Sequence, residues 1–181
     1  NVTANGDIVA TNNAAIKNEE YAIEVANNYG AFYVAGTLSV DGSATFTGNS
    51  ADGSYGALYA SRIDVTGDLT ANDNTAKGNV GAFYAAGATI GGNLTANNNE
   101  AQDGSFGAVR LTGDLDVGGD ATLNGNKAKA VYGAMFVRNL TVGGDLEMSG
   151  NSTEGSYAAG QVVNALNVAG SATFDGNTAN G

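Results

Sequence analysis

Short runs of alternating apolar and polar residues recur along the chain, each bounded by Gly, Asn or Asp. "LSV" (38–40), "IDV" (63–65), "LDV" (115–117), "LTV" (140–142) and "LNV" (166–168) put two apolar residues on one face and a polar residue on the other. A second set follows closely, as in "ATFT" (44–47), where Ala44 and Phe46 share one face and Thr45 and Thr47 the other. Period-two alternation in runs this short predicts half-buried strands. Helical solenoids fit badly, because Gly and Asn return wherever a helix interior would have to lie. A third set carries aromatics: "YGAFYV" (29–34), "YGALYA" (55–60), "VGAFYA" (80–85), "FGAVRL" (106–111) and "YGAMFV" (132–137).

The three sets return in the same order at a fixed period. Gly6, Gly42, Gly67, Gly92, Gly119, Gly144 and Gly170 are each followed seven residues later by Asn13, Asn49, Asn74, Asn99, Asn126, Asn151 and Asn177. Successive intervals are 36, 25, 25, 27, 25 and 26 residues. Self-similarity at such a period is the signature of a solenoid. Three short strands per cycle predict an all-β parallel β-helix of about seven coils of 25–27 residues, a rod roughly 33 Å long. Stacked at one turn, the Asn side chains can donate and accept along the axis and form a structural ladder while tolerating the left-handed turn conformation. The Gly column marks another turn, where a Cβ would collide with the neighbouring coil.

The first two strands turn polar residues outward, but both faces of the third are apolar. With Gly30, Phe32 and Val34 directed inward, Tyr29, Ala31 and Tyr33 face out. The same parity exposes Tyr55, Ala57 and Tyr59, then Ala82 and Tyr84, then Phe106, Ala108 and Arg110, then Tyr132, Ala134 and Phe136. The reverse parity exposes Phe32, Leu58, Phe83, Val109 and Met135 instead, and either leaves an apolar stripe. A stripe of that extent marks a contact surface. Its binding residues are expected to be Tyr33, Tyr59, Tyr84, Arg110, Phe136, Tyr55 and Tyr132, with a protein or a second copy as partner and a carbohydrate as a further possibility.

"FTGNSADGSYGALYA" (46–60) resembles the paired FxxN and GGA[ILV] repeat of the chlamydial polymorphic outer-membrane proteins and related autotransporter passengers. Phe46 and Asn49 stand for FxxN; Gly56, Ala57 and Leu58 stand for the last three residues of GGA[ILV], with Tyr55 in place of its first Gly. "FDGN" (174–177) repeats the first half. The resemblance implies a right-handed β-helix displayed on a bacterial cell surface or outside the cell, often as an adhesin.

Composition narrows the chemistry. The chain has 181 residues without Cys, His, Pro or Trp. Thiolate chemistry, disulfides, the usual zinc sites and Ser–His or Cys–His nucleophiles are therefore absent. A formal charge of −11 repels nucleic acid and anionic lipid, and no apolar run is long enough to cross a bilayer as a helix. Asp64 and Asp116 lie two coils apart, and Arg62, Arg110 and Arg138 lack an adjacent carboxylate cluster, so no catalytic residue, cofactor or metal is expected. Asp120 and Asp145 stack at the Gly turn, where water, turn N–H groups or a cation must relieve their repulsion. The chain is expected to be one solenoid over 1–181, an excerpt of a longer repeat protein, with an inserted loop or flap at 14–28. A non-enzymatic adhesive or structural role follows, with a self-assembling fibre or surface-layer subunit as the alternative.

Overall fold

The computed structural model describes residues 1–16 and 29–181. Among these residues every regular element is a β-strand, and all pairings between strands are parallel. The chain winds as a parallel β-helix whose rungs stack into three sheets, two of them seven-stranded.

The sheets divide the repeat differently from the alternating pattern. The aromatic run of one coil and the "LSV"-type run of the next belong to the same sheet, and in several rungs they are one strand: Phe32–Val40, Leu58–Val65, Met135–Val142 and Gly160–Val168. The second sheet is built from the "ATFT"-type runs, Ile8–Thr11 through Ala172–Asp175. The third consists of two-residue strands directly after each ladder asparagine, such as Ser50–Ala51, Thr75–Ala76 and Glu100–Ala101. Two residues are too short to leave a periodic signal. Ala14–Ala15 pairs with Ser50–Ala51 as the first of these strands, so the insertion expected at 14–28 cannot begin before them. Residues 17–28 lie outside the described residues.

The corner between the second and third sheets has a consistent backbone cause. The residue before each ladder asparagine adopts a left-handed conformation: Asn12, Gly48, Asp73, Asn98, Gly125, Gly150 and Gly176, with φ between 55° and 67°. Only Gly, Asn and Asp enter that region at little cost, and only those three types stand there. The left-handed residue is thus the predecessor of the ladder asparagine. It turns the chain and delivers the asparagine side chain to the interior.

Inside, the side chains form one ladder. Asn49, Asn74, Asn99, Asn126 and Asn151 are fully buried. Each Nδ2 donates to the Oδ1 of the next rung, at 3.0 Å from Asn49 to Asn74 and 3.1 Å from Asn74 to Asn99. Each Nδ2 also donates backward to a main-chain carbonyl, as Asn74 does to Phe46 and Asn99 to Ala71, both at 2.8 Å. Each Oδ1 additionally accepts the main-chain N–H of the preceding asparagine, 2.9 Å for Asn49 to Asn74. Asn13 and Asn177 continue the chain at the two ends. Two donors and two lone pairs are all used, so a buried amide that would otherwise cost several kcal/mol is fully compensated.

Apolar columns fill the rest of the interior, and their volumes compensate between positions. In the rung of Phe83 the position paired with Ile63 and Leu115 holds Ala88; Phe46 is succeeded at its position by Ala71 and Ala96. All these residues are buried in one contiguous core. Large side chains thus sit beside small ones, which keeps the interior close-packed without overfilling any rung.

The outer turn at the recurrent Gly is tied in the opposite direction. Asp68 Oδ1 accepts the N–H of Asn93, Asn93 Oδ1 that of Asp120, Asp120 Oδ1 that of Asp145 and Asp145 Oδ1 that of Ser171, at 2.7–2.8 Å. Turn N–H groups therefore hold the stacked carboxylates of Asp120 and Asp145. A Cβ on Gly92, Gly119 or Gly144 would strike these side-chain oxygens.

Asn99→Ala strands the main-chain N–H and Nδ2 of Asn74 and the carbonyl of Ala71, at about 1–3 kcal/mol for each buried group left unpaired. We expect urea unfolding to report a loss of at least about 3 kcal/mol. Asn98→Gly, at φ 55°, is expected to change stability by less than about 1 kcal/mol; equal effects of the two substitutions would contradict the ladder's role.

Candidate functional site

The aromatic run begins at the corner between the third and first sheets. Tyr29, Tyr55, Val80, Phe106, Tyr132 and Tyr157 form successive parallel bridges there. The chain then bends at Gly–Ala. The N–H groups of Ala57 and Leu58 both bond to the carbonyl of Ala82, at 2.9 and 3.2 Å, so two residues occupy one ladder position. The same doubling recurs where Ala82 and Phe83 share Ala108, and Ala108 and Val109 share Ala134.

This bend corrects the expected parity. Ala57, Ala82, Ala108 and Ala134 were expected on the outer face, yet all four are fully buried. They line the inside of the corner, because strict alternation fails where two N–H groups share one acceptor. Past the bend alternation resumes, with Leu58, Phe83, Val109 and Met135 inside and the intervening residues outside. The outward column is Tyr33, Tyr59, Tyr84, Arg110 and Phe136, aligned rung by rung.

The corner also explains one recurrent glycine. A Cβ on Gly30, Gly56, Gly81 or Gly107 would land on the main-chain carbonyl oxygen of the next rung's glycine, and one on Gly133 would land on that of Ala158. Only glycine permits this approach.

Two columns therefore run side by side along the rod, and their rings touch. Within the outward column, Tyr33 stacks on Tyr59 at 5.2 Å and Tyr59 on Tyr84 at 5.1 Å between centroids. Within the corner column, Tyr29 stacks on Tyr55 at 5.4 Å, Phe106 on Tyr132 at 5.1 Å and Tyr132 on Tyr157 at 5.3 Å. Tilted and edge contacts join the columns, such as Tyr55 with Tyr59 at 5.2 Å and Tyr132 with Phe136 at 5.3 Å. All seven residues expected at the contact stripe lie in this one patch. Tyr29, Phe106 and Tyr157 complete it; their position opposite Tyr55 and Tyr132 in the repeat is the signal that reveals them.

Stacking decides what the patch can offer. Each interior ring face is largely covered by the ring of the next rung, so hydroxyls and ring edges reach the surface. The stripe is a comb of phenols, less apolar than its composition implies. Only Tyr132 has a hydroxyl partner among the described residues, donating to Gln161 Oε1 at 3.1 Å. Burial raises the phenol pKa of Tyr29 and Tyr55 above 10.0, reinforced by neighbouring tyrosines, while Arg110 opposes the rise at Tyr55. Both are protonated at neutral pH and present O–H groups.

Arg110 is the one cation in the comb. Its guanidinium lies 5.4 Å from the Tyr84 ring centroid and 4.9 Å from that of Phe106, continuing the stack as another flat group. Its Nε is buried without a hydrogen-bond partner. Next to the comb on the same sheet, Arg62 pairs with Asp64 at 2.9 Å and donates to Thr89 at 2.8 Å, and Asn139 donates to Asp114 at 2.6 Å. A shallow hollow of about 520 Å³ is lined in part by Arg62, Asp64 and Thr89. Among the described residues no three metal-ligating side chains gather together.

Fold and comb define a parallel β-helix that displays a stacked aromatic face. Compared with protein-family models, curated proteins and solved structures, the chain matches none.

The raised phenols generate a stability prediction. The unfolded chain releases these protons first, so their contribution is intact below pH 10.0 and declines as pH rises through that value toward the higher folded pKa. Melting temperature is expected to fall above about pH 10 and to fall less in Tyr55→Phe. An identical alkaline decline in both proteins would contradict the assignment.

Proposed function

We propose that the chain is a non-enzymatic contact segment of an extracellular or cell-surface adhesive repeat protein. The resemblance of its repeats to autotransporter passengers supports that setting. One observation carries the reading: a packed core exists without the comb, yet the fold holds two further columns of rings and an Arg on its exterior in register. Rings fixed by neighbours on both sides lose little freedom on binding, which favours their use as anchors. A mixed surface of Thr, Asn and Asp elsewhere offers no comparable feature.

The same comb favours a second reading, in which copies of the chain meet face to face as subunits of a fibre or surface layer. Light scattering over a wide concentration range separates the two. A monomer throughout is expected for the adhesive reading; stepwise oligomers would support the subunit. Tyr59→Glu with Tyr84→Glu places two charges in the comb, and at least a tenfold loss of cell-surface binding is expected with an unchanged circular dichroism spectrum. Undiminished binding by the double variant would remove the comb from the contact.

A further inference from the structure

Resting on the contact-face reading, we propose that the comb's partner is an extended acidic polysaccharide. It lies along the rod axis, with one of its carboxylates received jointly by Arg110 and Arg138.

The charge distribution is the first support. Seven basic residues face eighteen acidic ones, and six of the basic residues are described. Four of those pair with carboxylates: Arg62 with Asp64, Lys77 with Asp52, Lys127 with Glu100 and Lys129 with Asp103. The side chains of Arg110 and Arg138 make no ion pair or hydrogen bond with described residues. They stand on adjacent rungs of one outward face, since Arg110 pairs with Phe136 and Arg138 lies two residues further along that strand. Strand geometry puts their Cα atoms roughly 8 Å apart. In so acidic a chain, two neighbouring unpaired guanidinium groups call for an anion from outside. The stack on Tyr84 and Phe106 covers the faces of the Arg110 guanidinium. Its edge remains, and that edge matches a carboxylate with two parallel N–H donors.

Dimensions choose among carboxylate bearers. The comb spans six rungs, from Tyr29 to Tyr157. At ~4.8 Å per rung it is roughly 25 Å long, and two ring columns make it roughly 10 Å wide. An area of roughly 250 Å² is about a third of the ~800 Å² per partner of a stable protein interface. A narrow linear ligand suits it better than a folded protein or a second copy. An extended peptide advances by about 3.3 Å per residue and loses register with ~4.8 Å rungs. An extended polysaccharide advances one sugar ring in nearly the rung distance, so one sugar meets each rung.

The chemistry of the comb agrees. Covered ring faces exclude sugar stacking along its middle, whereas hydroxyls of Tyr33, Tyr59, Tyr84, Tyr29 and Tyr55 are free to exchange hydrogen bonds with sugar hydroxyls. Asp64, Asp114 and Asp116 beside the comb repel a dense polyanion, so the acidic sugars must be separated by neutral ones.

Hyaluronan oligosaccharides, alternating uronate with neutral sugar, are the probe. Chitin oligosaccharides of equal length and a glutamate-rich peptide of equal charge are the comparators. Calorimetric titration at low salt should show hyaluronan binding at least tenfold tighter than either, weakened at least tenfold by Arg110→Gln with Arg138→Gln. Arg138→Gln alone, at an exposed position outside the stack, should weaken it severalfold with an unchanged melting temperature. Equal affinity for chitin or the peptide, no hyaluronan binding, or an indifferent double variant would overturn the proposal. If hyaluronan fails while Tyr59→Glu with Tyr84→Glu still abolishes cell-surface binding, only the ligand class is wrong. If neither has any effect, the contact reading falls with it.

Discussion

The stacked asparagine amide is the interaction on which the rest of the molecule depends. It is buried, neutral, and satisfied in all four of its hydrogen-bonding directions by groups on neighbouring rungs. A rung displaced by one residue would bring an unsuitable side chain into that line and leave amides and carbonyls unpaired in the interior. The penalty for such a slip falls on several groups at once, which is a stronger constraint on register than apolar packing alone can impose. Main-chain ladders between rungs would tolerate a shift by two residues; the asparagine column would not.

Register fixed in the interior is what organises the exterior. Tyr33, Tyr59 and Tyr84 touch because their rungs are aligned by Asn49, Asn74 and Asn99 on the other side of the coil. Ring-to-ring distances of 5.1–5.2 Å in that column are close to the spacing of neighbouring strands, so a column of aromatics in a β-helix becomes a stack with little further adjustment. Arg110 enters the stack because its guanidinium is also flat. The outer carboxylate and amide turns, tied in the opposite direction, secure the far edge of the same sheet. Inner and outer ladders thus point their side-chain oxygens toward opposite ends of the rod.

The repeat was legible because it is written in residues with few alternatives. Asn at the ladder, Gly at the turn and paired apolar residues in "IDV"-type runs announce the coil, its period and the inward face of two of its strands. The third sheet was hidden by its length, since Ser50–Ala51 and Thr75–Ala76 are too brief to alternate. The left-handed residue was misplaced by one position, because Asn, Gly and Asp share that site while an invariant Asn stands beside it. Membership of the aromatic patch was readable from Tyr55, Tyr59, Tyr84 and Arg110. Its parity near the bend was not, because alternation carries no mark of two N–H groups sharing one carbonyl at Ala57 and Leu58. Nor could spacing reveal that ring faces are covered, which changes the chemistry the patch can offer.

The glycines at that bend have a wider meaning. Gly56 does not need its small size for its own coil; the space it leaves is filled by a carbonyl of the coil that follows, and the same holds for Gly81, Gly107 and their successors up to Gly133 against Ala158. Each coil therefore carries the joint for its neighbour, as a tile carries the groove for the next tongue. A segment copied in tandem brings its own compatible joint and can lengthen the rod without other change. A coil with a methyl at this corner, as at Ala158, can be joined only by a successor whose backbone stands further off. Growth by duplication is open from any glycine-bearing coil, and a single alanine is enough to change how the next one sits.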